Sequence, residues 1–112
     1  MRKKEILRKK DDFQAIYKAG KSVPERYVVH FYRKNDLPYS RTAFLASKKV
    51  GNSVQRNRAK RLMKESYRLN ADKFLEGYDC IFIARNTING KKQKDVEKSL
   101  LNAAKRGKVT GR

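Results

Sequence analysis

The run Tyr78-Asp79-Cys80-Ile81-Phe82-Ile83-Ala84 limits the fold more than any other stretch of the chain. A strand with one wet face alternates apolar and polar side chains. This one is apolar almost throughout, as expected of a strand covered on both faces. It predicts a sheet with helices packed on it. The chain has 112 residues and a hydrophobic fraction of 38%. That suits one domain (1–112) with one thin core, and leaves no second domain to wall a deep pocket.

Other elements follow from periodicity. Asp11 and Asp12 offer N-cap chemistry, Phe13, Ile16 and Tyr17 repeat at i, i+3, i+4, and Gly20 stops the run, so a first helix is predicted over 11–19. Residues 1–10 read as a basic arm, loose or extended. Residues 23–32 read as one strand, with Tyr27, Val29 and Phe31 on one face and Val28, His30 and Tyr32 on the other. Residues 34–38 form a loop and 42–47 a second strand. Asn52 or Ser53 caps a long helix over 53–71, and Gly77 breaks the chain before the Tyr78 strand. A last helix is predicted over 93–106, with Val96, Leu100, Leu101 and Ala104 as its core stripe and Gly107 as its stop. The order α-β-β-α-β-α defines an α+β, single-domain α/β sandwich with a small sheet and three helices.

Charge then narrows the function. Thirty Lys and Arg oppose eleven Asp and Glu, a formal net charge of +19. A small domain so charged repels itself, and a polyanionic partner relieves the repulsion. Nucleic acid fits best, because each neutralised phosphate releases counterions; an anionic membrane is the weaker alternative. The first eight residues show no apolar run behind their basic ones, and no stretch approaches the roughly 20 apolar residues of a spanning helix. Cys80 is the only cysteine, so no internal disulfide is possible. These features lead us to expect a cytoplasmic protein with no membrane partner.

On a helical wheel, Asn57, Lys60, Arg61, Lys64 and Arg68 share one arc of about 100°, and Ala59, Leu62, Ser66 and Leu69 occupy the opposite one. Arg56 and Arg58 flank the stripe, and Glu65 is placed to hold Arg61 at i, i+4. A solvated charged face is the bland alternative. A phosphate-binding face is the better reading, because like charges one turn apart cost stability and almost no acids offset them. The stripe alone does not distinguish RNA from DNA. Phe13 and Tyr17 lie one helical turn apart, and beside Phe31 they could line a groove where bases stack. Core packing is the commoner use of Phe13 and Phe31, whereas the Tyr17 hydroxyl prefers a wet edge.

The requirements of protein-borne catalysis are missing. His30 is the single histidine and sits mid-strand among apolar neighbours. Asp11 and Asp12 read as caps, and Asp72, Glu76 and Asp79 lie near turns. No metal-spaced Cys/His set, Gly-rich phosphate loop or nucleophile elbow occurs. We therefore expect no catalytic residue and no metal ligand on this chain.

The run Lys48-Lys49-Val50-Gly51-Asn52-Ser53-Val54-Gln55-Arg56-Asn57-Arg58-Ala59-Lys60-Arg61-Leu62 strongly resembles the signature of the bacterial ribonuclease P protein family, whose hallmark is an Arg-Asn-Arg helix. The segments 12–20, 27–31 and 79–85 resemble that family's first helix, first strand and last strand. The resemblance implies a ribosomal-protein-like fold with a left-handed βαβ crossover at the basic helix. It also implies an accessory subunit of an enzyme, bound 1:1 to ribonuclease P RNA. That RNA uses Mg²⁺ to remove the 5′ leader of precursor tRNA. Phe13, Tyr17 and Phe31 would line the leader groove. Arg56, Asn57, Arg58, Lys60, Arg61, Lys64 and Arg68 would contact the ribozyme or the nearby substrate and metal region, with Lys48 and Lys49 on the same edge. Relative to some members, Tyr17 and Phe31 exchange Phe and Tyr, and the last helix and its tail lack an aromatic. The rival readings are a general or ribosomal RNA-binding protein, and a DNA-binding regulator. The second is disfavoured because no helix-turn-helix pair precedes the long helix.

Overall fold

The computed structural model describes residues 2–111. In chain order it has α1 (Lys10–Ala19), β1 (Lys21–Pro24), β2 (Val28–Lys34), β3 (Arg41–Leu45), α2 (Ser53–Leu69), β4 (Tyr78–Ala84) and α3 (Gln93–Arg106), with short 3₁₀ turns at Lys3–Glu5, Ala71–Lys73 and Asn86–Ile88. The four strands lie in the order β1-β2-β4-β3. The strand read from its apolar run is thus interior, antiparallel to β2 and parallel to β3. The parallel pair needs a crossover, and α2 provides it.

One expected strand is two. Residues 23–32 divide into β1 and β2, a hairpin with Ser22 opposite Phe31 and Val23 opposite His30. Pro24 explains the division: it cannot donate to a ladder on its outer side, so it suits an edge strand. The Glu25 amide then closes the turn on the Val28 carbonyl at 2.9 Å.

Alternation along the strands sends two sets of side chains to opposite faces. On one face Val28, Phe44, Cys80, Phe82 and Ala84 pack against Ala59 and Met63 of α2 and Val96, Leu100 and Ala103 of α3. Phe82 is its centre, stacked on His30 at 4.4 Å between centroids and on Phe44 at 5.8 Å. On the other face Ala43 and Ile81 pack with Ile16 of α1 and Leu7, flanked by half-buried Phe13, Phe31, Leu45 and Ile83. Tyr27 precedes β2 and joins the α2–α3 side, not the Val29–Phe31 face expected from alternation, because the turn rotates it out of the pleat.

Several finer expectations change. The arm is docked: Ile6 bridges to Thr42, the Leu7 amide donates to the Thr42 carbonyl at 3.0 Å, and Leu7 is buried. Helix α1 is capped by Lys9 with no side-chain cap bond, and Asp11 and Asp12 sit inside its first turn, where their charge suits the positive end of the dipole. The buried arc of α2 is Ala59, Met63 and Ser66. Leu69 is 50% exposed, because the helix stops there and buried Asn70 takes over. In α3, Leu101 is only half-buried, and Ala103 takes its expected place in the core beside Ala104. No helix among the described residues is long and apolar enough to cross a membrane.

Asp79, near the start of the predicted strand, is fully buried. Arg41 donates to both its oxygens, Nε to Oδ1 at 2.8 Å and Nη2 to Oδ2 at 2.7 Å, and Asn35 Nδ2 donates to Oδ1 at 2.9 Å. Arg33 lies 3.5 Å away, and Arg41 also reaches Asp12 of α1 at 3.2 Å. Burial alone would raise the Asp79 pKa, but the Arg41 and Asn35 hydrogen bonds and the charges of Arg41 and Arg33 outweigh it and hold it below the ordinary carboxylate value. This chain of charges ties the start of α1 to the sheet and so sets where Phe13 stands.

Candidate nucleic-acid interface

Helix α1 closes over only part of its sheet face. Its own Ile16 and the sheet residues Ala43 and Ile81 are buried between the two. The next cross-strand row, Val29–Ile83–Leu45, stays half-exposed. Phe13, Tyr17 and Phe31 border that open row. The Tyr17 ring meets Phe31 edge-on, 5.0 Å between centroids at 89°, the arrangement favoured by aromatic quadrupoles. Tyr17 is 43% exposed. Burial of its remainder pushes its pKa up, so the hydroxyl stays a donor at neutral pH. The three aromatics are therefore both core and surface: Phe13 and Phe31 pack against Ile16 and Ile81 while keeping part of each ring open.

The basic helix starts from a built N-terminus. Asn52 and Gln55 form a reciprocal capping box, each amide donating to the other's side-chain oxygen at 2.9 Å. Gly51, at φ 144°, supplies the backbone that turns into it. Asn57, Arg61, Lys64 and Arg68 form the exposed stripe, and Lys60 lies half-buried at its edge. Arg56 and Arg58 are partly committed to the protein: Arg56 donates to the Gly51 carbonyl and Ser53 Oγ at 3.3 Å, and Arg58 Nη2 to the Lys91 carbonyl at 2.6 Å. Each fork retains further N–H donors. Glu65 grips Arg68 rather than Arg61, through Nε at 3.1 Å and through Nη2. The two oxygens of a carboxylate match the guanidinium fork, which leaves Arg61 without an acidic partner among the described residues.

Groove and helix lie on opposite faces, joined at one end of the sheet. Leu45 on the groove floor ends β3, and residues 46–52, carrying exposed Lys48 and Lys49, lead directly into α2. A cavity of about 1110 Å³ extends the open face along the outer edge of β3, from Phe13, Ala43 and Leu45 to Lys64, Tyr67, Arg68 and Phe74. Sequence reasoning missed Tyr67 and Phe74; the only available signal was two aromatics flanking the end of the basic helix.

The remaining titratable groups are inward. His30 is fully buried, and desolvation pushes its pKa down to about 4; the Ala103 carbonyl opposes this without meeting hydrogen-bond geometry. Cys80 is buried and burial pushes its thiol pKa up. Among the described residues, no three His, Cys, Asp or Glu side chains come together to hold a metal ion.

The profile of the family described as Ribonuclease P matches residues 1–108. A ribonuclease P protein component of Clostridium botulinum is 47% identical over 108 residues, covering 96% of this chain and 97% of its own. The RNase P protein of Staphylococcus aureus has a solved structure that superposes with a TM-score of 0.86 at 32% identity, covering 96% of this chain and 98% of its own. That of Thermotoga maritima gives 0.83 at 35% identity, covering 91% and 96%. With the family profile spanning residues 1–108 and relatives matched over nearly their whole length, this chain belongs to the ribonuclease P protein component family.

Proposed function

We propose that the chain binds ribonuclease P RNA through α2 and holds the single-stranded 5′ leader of precursor tRNA in the aromatic-lined face, so aiding Mg²⁺-dependent removal of the leader. The observation that carries this reading is the cavity along β3, which Phe13 and Leu45 of the aromatic-lined face line together with Lys64 and Arg68 of α2. Stacking on such rings is worth about 1–3 kcal/mol per base and accepts any base, as a variable leader requires. The cations position the RNA backbone without reading its sequence.

Mg²⁺ in this reading stays with the RNA subunit. Among the described residues no three His, Cys, Asp or Glu side chains meet, and Glu65, the one acid on the basic helix, is engaged by Arg68. What α2 supplies is positive charge that lets phosphates approach one another with fewer bound cations. The protein would act in the cytoplasm as one copy per RNA, and the RNA would perform the chemistry.

Photo-crosslinking tests the groove. A precursor tRNA carrying 4-thiouridine in its leader is bound to the reconstituted holoenzyme, and crosslinked peptides are mapped. Crosslinks at 13–17 and 29–31 are expected. Crosslinks confined to α2 would remove the groove from the reading and favour a general RNA-binding protein.

A further inference from the structure

Away from α2, cations also gather in a concave place at the other end of the sheet. A cavity of about 530 Å³ is lined by Ala19, Gly20, Lys21, Tyr32, Arg33, Lys34, Tyr78, Arg106, Gly107 and Lys108. The strand registers put it at the far end of the sheet from the Lys48–Lys49 loop: Lys34 pairs with Tyr78 at the start of β4 and Lys21 with Tyr32, whereas Leu45 pairs with Ile83 near its end. It also lies at the β1–β2 side, and α2 packs toward β3 and β4.

Its composition differs from that of the other concave regions. The cavity along β3 mixes Lys64, Arg68 and Lys73 with Glu5, Asp72 and Glu76, and the hollow between α2 and Gln93 includes Glu65. Here five cations line one cavity with no carboxylate in the lining. Arg33 and Arg106 have partners behind them, Asp79 at 3.5 Å and Glu25 at 3.2 Å. Lys21, Lys34 and Lys108 make no ion pair among the described residues. Crowding unpaired cations costs stability unless an anion sits among them.

The cavity is also built. At Gly107 a Cβ would lie 2.8 Å from Tyr32 Cε1, and at Gly20 it would lie 2.5 Å from the Ile16 carbonyl, so only glycine lets these two helix ends close around Tyr32. Lys108 follows in the left-handed region at φ 59°, held by the hydrogen bond its backbone N–H donates to the Lys105 carbonyl and by buried Val109. A non-glycine residue there costs about 1–2 kcal/mol. Tyr32 and Tyr78, 6.5 Å apart, add hydroxyls with no hydrogen-bond partner among the described residues.

We propose that this cavity is a second RNA site, taking the phosphodiester backbone of a strand other than the one against α2. Lysine ammoniums, arginine forks and tyrosine hydroxyls are the donor set that phosphate oxygens accept from, and no carboxylate competes. The inference rests on the partner being RNA, as proposed above. A protein with cations at two opposite ends of its sheet would hold two RNA segments at a fixed separation.

The test measures the salt dependence of two steps: assembly with ribonuclease P RNA, and capture of precursor tRNA by the preassembled complex. Three variants are compared: Lys34→Gln/Lys108→Gln in the cavity, Lys94→Gln/Lys98→Gln on the exposed side of α3, and Arg61→Ala on α2. Each lost phosphate contact lowers the slope of log K against log salt by about 0.7–0.9. The cavity pair is expected to lower it by about 1.5 in one of the two steps, which identifies the RNA that occupies the cavity. The α3 pair should leave it unchanged, and Lys34→Arg/Lys108→Arg should restore it. If the cavity pair behaves like the α3 pair while Arg61→Ala lowers the slope, the second site is refuted. If Arg61→Ala also has no effect, the α2 reading itself fails.

Discussion

Replacing His30 with Phe should remove most of the protein's pH-dependent stability between pH 7 and 5. His30 is the only histidine. It is fully buried, stacked on Phe82 at 4.4 Å, and neither ring nitrogen has a partner among the described residues. Desolvation holds its pKa at about 4, against about 6.5 in an unfolded chain. Between those values the unfolded state binds a proton that the native state refuses. Stability is therefore full above pH 6.5 and falls on acidification towards pH 4. The 2.5-unit gap corresponds to about 3 kcal/mol in full, of which about 2 kcal/mol is lost by pH 5. Phe keeps the stack and deletes the two unpaired nitrogens. At pH 7 the gain from that deletion offsets the strain of a slightly larger ring, leaving the two proteins within about 1 kcal/mol. Urea unfolding at pH 7, 6 and 5 reads both quantities. Wild type should lose about 2 kcal/mol across that range and the variant only a few tenths. Equal losses in both proteins would show that His30 is not the titrating group and that the packing argument is wrong.

Asp79→Asn leaves Arg41 and Arg33 facing a neutral group. Because both guanidiniums are 20–30% exposed and can rehydrate, the cost should lie near the low end of the buried-pair range, about 3 kcal/mol, or roughly 10–15 °C in thermal midpoint. The Asp79 pKa is depressed in the native state, so its stabilisation is complete above about pH 3.9 and the gap between the proteins should narrow below it; a constant gap would contradict the assignment. Tyr17→Ala, at an exposed ring, should weaken leader-bearing precursor tRNA by about 1–3 kcal/mol and leave mature tRNA unchanged in equilibrium binding to the holoenzyme. Arg58→Ala should cost folding stability as well as RNA affinity, since it also releases the Lys91 carbonyl, whereas Arg61→Ala should cost only affinity; urea unfolding and filter binding separate the two. Cys80 should resist a thiol reagent in the native protein and react at the unfolding rate, since burial both shields it and disfavours its thiolate.

Elements whose pattern is local were legible in the sequence. The apolar run of β4 and the periodic stripe of α3 appear with the boundaries read from them, and the exposed cations of α2 lie on the arc the wheel assigned. What escaped depends on contacts between distant residues. Asp79 is an unexplained acid at the start of a strand until Arg41 and Arg33, 38 and 46 residues away, come beside it across two strand registers. Leu7 looks like part of a loose arm until β3 offers an edge for Ile6 and Leu7 to join. The hairpin turn after Pro24 was the exception, a local signal overlooked because apolar residues continue on both sides of it. At the candidate site, the wheel marked Arg56 and Arg58 as cations but could not show that each also braces a loop. The basic cavity gathers residues 19–21, 32–34, 78 and 106–108, and no spacing in the chain announces that meeting.

The most direct test of the account is precursor-tRNA cleavage at low Mg²⁺, comparing ribonuclease P RNA alone, this protein alone, and the two together. Cleavage restored only by the combination, with product ending at the mature 5′ terminus, is the predicted result. Cleavage by the protein alone would contradict the view that it lends contacts rather than chemistry, and no stimulation of the RNA would contradict its role as the accessory subunit.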